Sequence, residues 1–221
     1  MKKDLVSIGD LSAQDIEGIF DLTDQLKKNR AKYSKALSGK TLALVFQKPS
    51  NRTRVSFDVG MYQLGGNSIY LSPGEINLGV RETIEDVAKT LSRYVDGLVL
   101  RTFEHKNVVE MAKYATVPVI NGLTDFSHPC QALADVYTIR EKLKKLPGVT
   151  LAYVGDGNNV CNSLLMAGAK CGLNIKVAVP KGYEPDQSVF RAARDIAAKQ
   201  KNTVSLSNEA KTAVEGAEVV Y

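Results

Sequence analysis

The residues best suited to chemistry gather first in FQKPSNRTRVSF, residues 46–57, where one lysine, two arginines and three hydroxyl side chains surround a proline-broken turn. Ser50-Asn51 is a helix-capping pair, which puts Arg52, Thr53 and Arg54 in a first helical turn. Cations suit that position poorly, because the N-terminal end of a helix already carries positive partial charge. An anion would offset both. Free backbone N–H groups, short hydroxyls and a guanidinium fork match a phosphate in shape and charge. The competing reading pairs Arg52 and Arg54 with acidic neighbours on the surface.

A second group follows in LTDFSHPCQALAD, where His128 and Gln131 open a long helical pattern just after the apolar run VPVI. They are expected at the carboxyl edge of the same sheet, where open α/β folds collect their ligands. Arg101 closes the run GLVL and belongs to that edge as well. A phosphate cradle, a further arginine, an imidazole and an amide would then meet on one small anion. Cys130 lies between His128 and Gln131 and invites a nucleophile reading, but no separate base accompanies it, and a packed thiol is the expectation. GDGNNV, residues 155–160, suggests a dinucleotide-dependent oxidoreductase. Val160 stands where the third glycine should be, and IKVAVP runs into Lys181 with no acid for a ribose, so that reading fails twice.

The elements that position these groups alternate along the chain. TLALVF, NSIYL, GLVLR and VPVI are short aliphatic runs separated by helical patterns starting near Arg52, Glu82 and Asn107. Parallel strands joined by crossover helices are the architecture this alternation specifies. SAQDIEGIFDLTDQLKKN precedes them as a Ser-capped helix with Ile16, Ile19, Phe20 and Leu26 at helical spacing. The helix after Arg52 offers Val55, Val59, Met61 and Tyr62 to the sheet. A long helix from HPCQALADVYTIREKLKKL ends at Pro147-Gly148, and a second series follows: TLAYVG, a helix over 159–171, IKVAVP, a helix over 186–200, TVSL and AEVVY. The fold class is therefore α/β, two doubly wound parallel-sheet domains joined by a long hinge helix, at residues 1–146 and 147–221. EGAEVVY stops inside what reads as a buried strand, so the second domain is expected to be incomplete.

At 221 residues with a formal charge of +5, the chain can bury a core and has a modest basic excess. The basic stretches KKNRAKYSK and KLKK lack interleaved aromatics and read as solvated faces, which argues against nucleic acid. No apolar run is long enough for a membrane span, and MKKDLVSIGD is unlike a signal peptide, so a cytoplasmic protein is expected. Cys130, Cys161 and Cys171 form no C-x-x-C pair and read as reduced thiols.

S-N-R-T-R at 50–54, Arg101, H-P-C-Q at 128–131 and G-D-G-N-N at 155–159, in this order, resemble the aspartate/ornithine carbamoyltransferase family, on its ornithine-specific side. The resemblance implies that Ser50, Asn51 (through its backbone N–H), Arg52 and Thr53 hold the phosphate of carbamoyl phosphate. Arg101 and His128 would reach the carbamoyl oxygen and, with Thr53, do the catalytic work. Gln131 would meet the carbamoyl amide, and Asn159 the backbone groups of L-ornithine. It also implies a homo-oligomer, a trimer or a multiple of one, with Asn77 in the loop SPGEINLG reaching a neighbouring subunit's site. Neither a metal nor a cofactor is implied. The product would be citrulline, in arginine biosynthesis or catabolism.

The chain departs from the family at Asn51, where Thr or Met is usual, and at Asn77, where many members carry Gln. The family's second amino-acid-binding stretch, an Asp followed by Ser-Met-Gly, and its His-Cys-Leu-Pro loop fall beyond Tyr221. Three alternatives remain: a sister enzyme acting on putrescine, acylated ornithine or aspartate; a chain that binds carbamoyl phosphate without turnover; and a non-catalytic anion-binding module.

Overall fold

The computed structural model describes residues 4–76, 78–79 and 81–221, and their contacts divide the chain into two units. One holds the chain up to Val6 together with Glu17–Asp125, and the other holds Ser7–Ile16 together with Phe126–Tyr221. Helix α1 (Ala13–Lys28) crosses the first boundary. Its start is fixed as the sequence suggests: the Ser12 backbone N–H and hydroxyl donate to the Asp15 carboxylate at 2.8 and 2.7 Å.

The first unit contains β1 (Thr41–Phe46), α2 (Asn51–Gln63), β2 (Asn67–Leu71), α3 (Pro73–Ile76), α4 (Ile84–Leu91), β3 (Gly97–Arg101), α5 (His105–Tyr114) and β4 (Val119–Leu123). The strands pair in parallel in the order β2-β1-β3-β4. The strand β1 is central, so its side chains are buried on both faces, as a near-continuous apolar run requires. Alternation then divides them. Ala43 and Val45 join Leu98 and Leu100 beneath Val87, Ala88, Val108 and Met111 of α4 and α5. Leu42, Leu44, Phe46 and Val99 turn to the other face, with Met61 of α2.

One expectation for α2 needs correcting. Of the four residues offered to the sheet, only Met61 is buried, while Val55, Val59 and Tyr62 are 55%, 44% and 81% exposed. The helix carries two apolar stripes, and the one through Phe57 and Met61 faces inward.

The second unit contains α6 (Pro129–Leu143), β5 (Thr150–Val154), α7 (Asn159–Lys170), β6 (Asn174–Ala178), α8 (Gln187–Lys199), β7 (Val204–Ser207), α9 (Ala210–Val214) and β8 (Val219–Val220). Its parallel sheet has the order β7-β6-β5-β8. Two parallel α/β sheets thus form as the alternation predicts. The contacts, however, place α6 and the turn before it in the second unit, where α6 packs on α7, while the sequence reading groups α6 with the first domain. The run EGAEVVY does form a strand, β8, paired in parallel with β5.

Residues 7–11 are fastened to the second unit by Lys170, at the end of α7. Its ammonium donates to the carbonyls of Ile8 (2.8 Å), Gly9 (2.9 Å) and Leu11. Three donors on three carbonyls offset the cost of burying the charge. Residues 4–6 belong instead to the first unit. Leu5 bridges to Ile120, and the Asn121 amide donates to the Val6 carbonyl at 2.9 Å.

Candidate functional site

In the first sheet the strand order reverses between β1 and β3, and a crevice at such a switch point, outside the carboxyl ends of the strands, is where ligands bind in open α/β folds. The two strand ends lie side by side: Phe46 is in register with Arg101, and the Gln47 N–H donates to the Arg101 carbonyl at 2.8 Å. The loop 47–50 then turns into α2 with Ser50 as N-cap, its hydroxyl accepting from the Thr53 N–H at 3.3 Å. The expected helix start is therefore present, with Arg52 and Thr53 in the first turn.

Arg101 leans on this turn, with Nη1 donating to the Thr53 hydroxyl at 3.4 Å. The pairing of β3 with β4 slips between Leu100 and Arg101, an irregularity that re-aims the last side chain of a strand. The Arg101 Nε–H is buried with no acceptor among the described residues. Burial, and then the nearby charge of Arg52, hold the Arg101 guanidinium pKa below its ordinary value. Two like charges and an orphaned buried donor at a helix N-terminus make a site that is electrostatically incomplete until an anion enters.

The surface-pairing alternative holds for one arginine and not for the other. Arg54 pairs with Asp58 at 3.6 Å and lies over the Tyr70 ring at 3.9 Å, so it belongs to the structure of α2. Arg52 is exposed and has no carboxylate at ion-pair distance among the described residues. Beside the cradle, Gln47 reaches the Leu78 carbonyl at 2.8 Å, and Thr102 donates to Gln47. Sequence reasoning missed this tie between strand end and loop, although a polar Gln directly after TLALVF was a signal. Asn77 lies outside the described residues.

The remaining candidates belong to the second unit. His128 is the N-cap residue of α6, with Pro129 in the first turn, and its backbone N–H donates to the Ser163 hydroxyl at 2.8 Å. That hydroxyl in turn donates to the Asn159 carbonyl at 2.9 Å. Ser163 therefore joins the start of α6 to the first turn of α7, and His128 takes part in this tie through its backbone. A polar Asn162-Ser163 pair inside the apolar NVCNSLLMAGAK is the signal that could have found it. Gln131 donates from Nε2 to the Asp135 carboxylate at 2.9 Å. Cys130 has its thiol pushed up to about 12 by burial, which keeps it protonated and removes the nucleophile reading.

The strand order of the second sheet reverses between β5 and β8. At that point Asn158 caps α7, its side-chain oxygen accepting from the N–H groups of Val160 (2.9 Å) and Cys161 (3.2 Å). Its amide nitrogen donates to Asp156 at 2.8 Å, and the Tyr153 hydroxyl donates to the Asp156 carbonyl at 2.8 Å. Asn159, first in the helix and half-buried, is thus held on a fixed turn. Gly157 does not serve a pyrophosphate. A Cβ built there would lie 2.1 Å from the Pro185 nitrogen and 2.3 Å from the Glu184 carbonyl carbon, so the chain's own backbone fills that space. Among the described residues no group of three or more His, Cys, Asp and Glu could hold a metal ion, and no helix is long and apolar enough to cross a membrane.

Comparison with known proteins matches the chain in two parts, with His128 and Gln131 in the first of them. Residues 3–141 match the family described as aspartate/ornithine carbamoyltransferase, carbamoyl-P binding domain, and residues 147–221 match its Asp/Orn binding domain. The chain is 51% identical, over 99% of its length and 70% of the relative's, to an ornithine carbamoyltransferase of Anoxybacillus flavithermus. It is 49% identical to that of Thermococcus kodakarensis, with the same coverage. Among solved structures, ornithine carbamoyltransferase from Pyrococcus furiosus superposes with a TM-score of 0.97 at 49% identity, covering 99% of this chain and 71% of that one.

Proposed function

The chain belongs to the aspartate/ornithine carbamoyltransferase family, and on that premise we propose that it transfers the carbamoyl group of carbamoyl phosphate to the δ-amine of L-ornithine, giving citrulline and phosphate. The observation that carries this reading is the β1/β3 switch point, which joins a capped helix start, two repelling arginines and the orphaned Arg101 Nε–H, a combination that an anion would complete.

Ser50, Arg52 and Thr53, with the backbone N–H of Asn51, hold the phosphate. Asn77 serves a neighbouring copy's site. The uncharged δ-amine attacks the carbamoyl carbon, the carbonyl oxygen gains negative charge, the bond to the phosphate oxygen breaks, and the amine gives up a proton. Arg101, His128 and Thr53 are donors to the developing oxyanion, a role whose loss costs on the order of a hundredfold in rate. Gln131 meets the carbamoyl amide, and Asn159 the backbone groups of ornithine.

The same reading makes the protein a cytoplasmic enzyme of arginine metabolism that works as a homotrimer or a multiple of one. The exposed stripe of Val55, Val59 and Tyr62 on α2 is apolar surface of the kind that pairs with another copy. Sedimentation should give a multiple of three chains, and Tyr62→Lys should dissociate it. A colorimetric citrulline assay with ornithine, aspartate and putrescine in parallel tests the reaction. Product from aspartate or putrescine but not from ornithine overturns the substrate. Carbamoyl phosphate binding with no product from any amine leaves the binding reading and removes the catalytic one.

A further inference from the structure

We propose that Asp135 is a positioning residue that locks the Gln131 side-chain amide with its oxygen toward the substrate, so that the site selects a carbamoyl group over an acetyl group by its N–H bonds. This rests on the reading above that Gln131 meets the carbamoyl amide.

The two residues stand one turn apart on α6, and Gln131 Nε2 donates to Asp135 Oδ1 at 2.9 Å. An ionised carboxylate only accepts hydrogen bonds, so the amide nitrogen must face it and Oε1 must face away. Carbamoyl phosphate presents an NH2, two donors that need an acceptor. Acetyl phosphate has the same phosphate and carbonyl but presents a methyl group. An amide turned the other way would set N–H against N–H and lose the distinction.

Asp135 is costly where it stands. Its Oδ2 is buried with no hydrogen-bond partner among the described residues. Burial raises its pKa, with the hydrogen bond from Gln131 working the other way. A group retained only for helix packing would not need this carboxylate, since an apolar side chain would fill the space without the desolvation cost. A site that discriminates by a buried hydrogen bond does need its amide fixed, because the wrong substrate then leaves a polar atom unpaired.

The experiment measures carbamoyl phosphate, acetyl phosphate and inorganic phosphate binding to the full chain by calorimetry. In Asp135→Asn the new amide can donate to Gln131 Oε1 and allow it to turn. The preference for carbamoyl over acetyl phosphate should fall on the order of tenfold, with inorganic phosphate affinity unchanged. Gln131→Met should lose the same preference, and adding Asp135→Asn to it should lose no more. An unchanged preference in Asp135→Asn, or an equal further loss in the Gln131→Met background, overturns the proposal.

A readout on the unaltered chain stands apart from folding of the variants. The Gln131 side-chain NH2 resonances, assigned by their absence in Gln131→Met, should be protected from solvent exchange before and after carbamoyl phosphate is added. Free exchange overturns the proposal. Failure of the unaltered chain to bind carbamoyl phosphate removes the reading of function and this proposal together, whereas binding with unchanged preference in Asp135→Asn removes this proposal alone.

Discussion

The two sheets repeat one architecture and finish it in opposite ways. At the β1/β3 switch point Arg52 and Arg101 repel each other, and the buried Arg101 Nε–H has no acceptor among the described residues. At the β5/β8 switch point the turn satisfies itself: Asn158 caps its helix twice, Tyr153 and Asp156 brace the loop, and the 184–185 backbone lies against Gly157. A parallel sheet supplies the place for a site, and on the function proposed above it is the charge left unpaired at the strand ends that suits one of them to a strong anion. The other holds Asn158 and Asn159 on a fixed turn.

Arg52→Ala should have the largest effect, weakening carbamoyl phosphate binding by about 2 to 5 kcal/mol in calorimetry with the fold intact. Asn159→Ala should leave that affinity unchanged, and equal losses from both would erase the contrast between the regions. Next come the glycines. Gly157→Ala forces a Cβ into backbone and should cost about 1 to 3 kcal/mol in urea unfolding. Gly60→Ala, in α2 with open space around the new carbon, should instead stabilise by about 0.5 to 1 kcal/mol.

The caps should differ by less. Asn158→Ala removes two cap bonds and should cost about 1 to 2 kcal/mol of stability, while Ser50→Ala, with one bond at 3.3 Å, should cost about 0.5 to 1 kcal/mol and also weaken phosphate binding. Smallest is the response to salt. Raising ionic strength from about 0.05 to about 0.5 M should weaken phosphate binding a few-fold through screening, with little change in melting temperature.

Much of this was legible in the sequence because it is local. The strands were written as aliphatic runs, and the Ser50 cap as a Ser-Asn pair before a turn of basic residues. The face of α2 was not legible, because Val55, Val59 and Tyr62 form as good a stripe as Phe57 and Met61, and only the sheet chooses between them. The division between Arg52 and Arg54 needed Tyr70, which comes beside α2 only when β2 forms. The tie between the His128 N–H and the Ser163 hydroxyl was not legible either, because the two residues stand 35 apart in the chain. Asp135 and Gln131 show their spacing in the sequence, but the burial that makes the carboxylate costly belongs to the fold.

Lys170 fastens residues 7–11 to a unit whose main body begins at Phe126, while residues 4–6 are pledged to the other. The second unit is therefore discontinuous in the gene. A fusion that exchanged the tail from Phe126 onward between two relatives would carry the ammonium and leave behind the carbonyls it serves, burying an uncompensated charge in the recipient unless the leading segment travelled too. A strip of chain a few residues long would therefore have to be exchanged together with the tail for the second unit to keep its contacts.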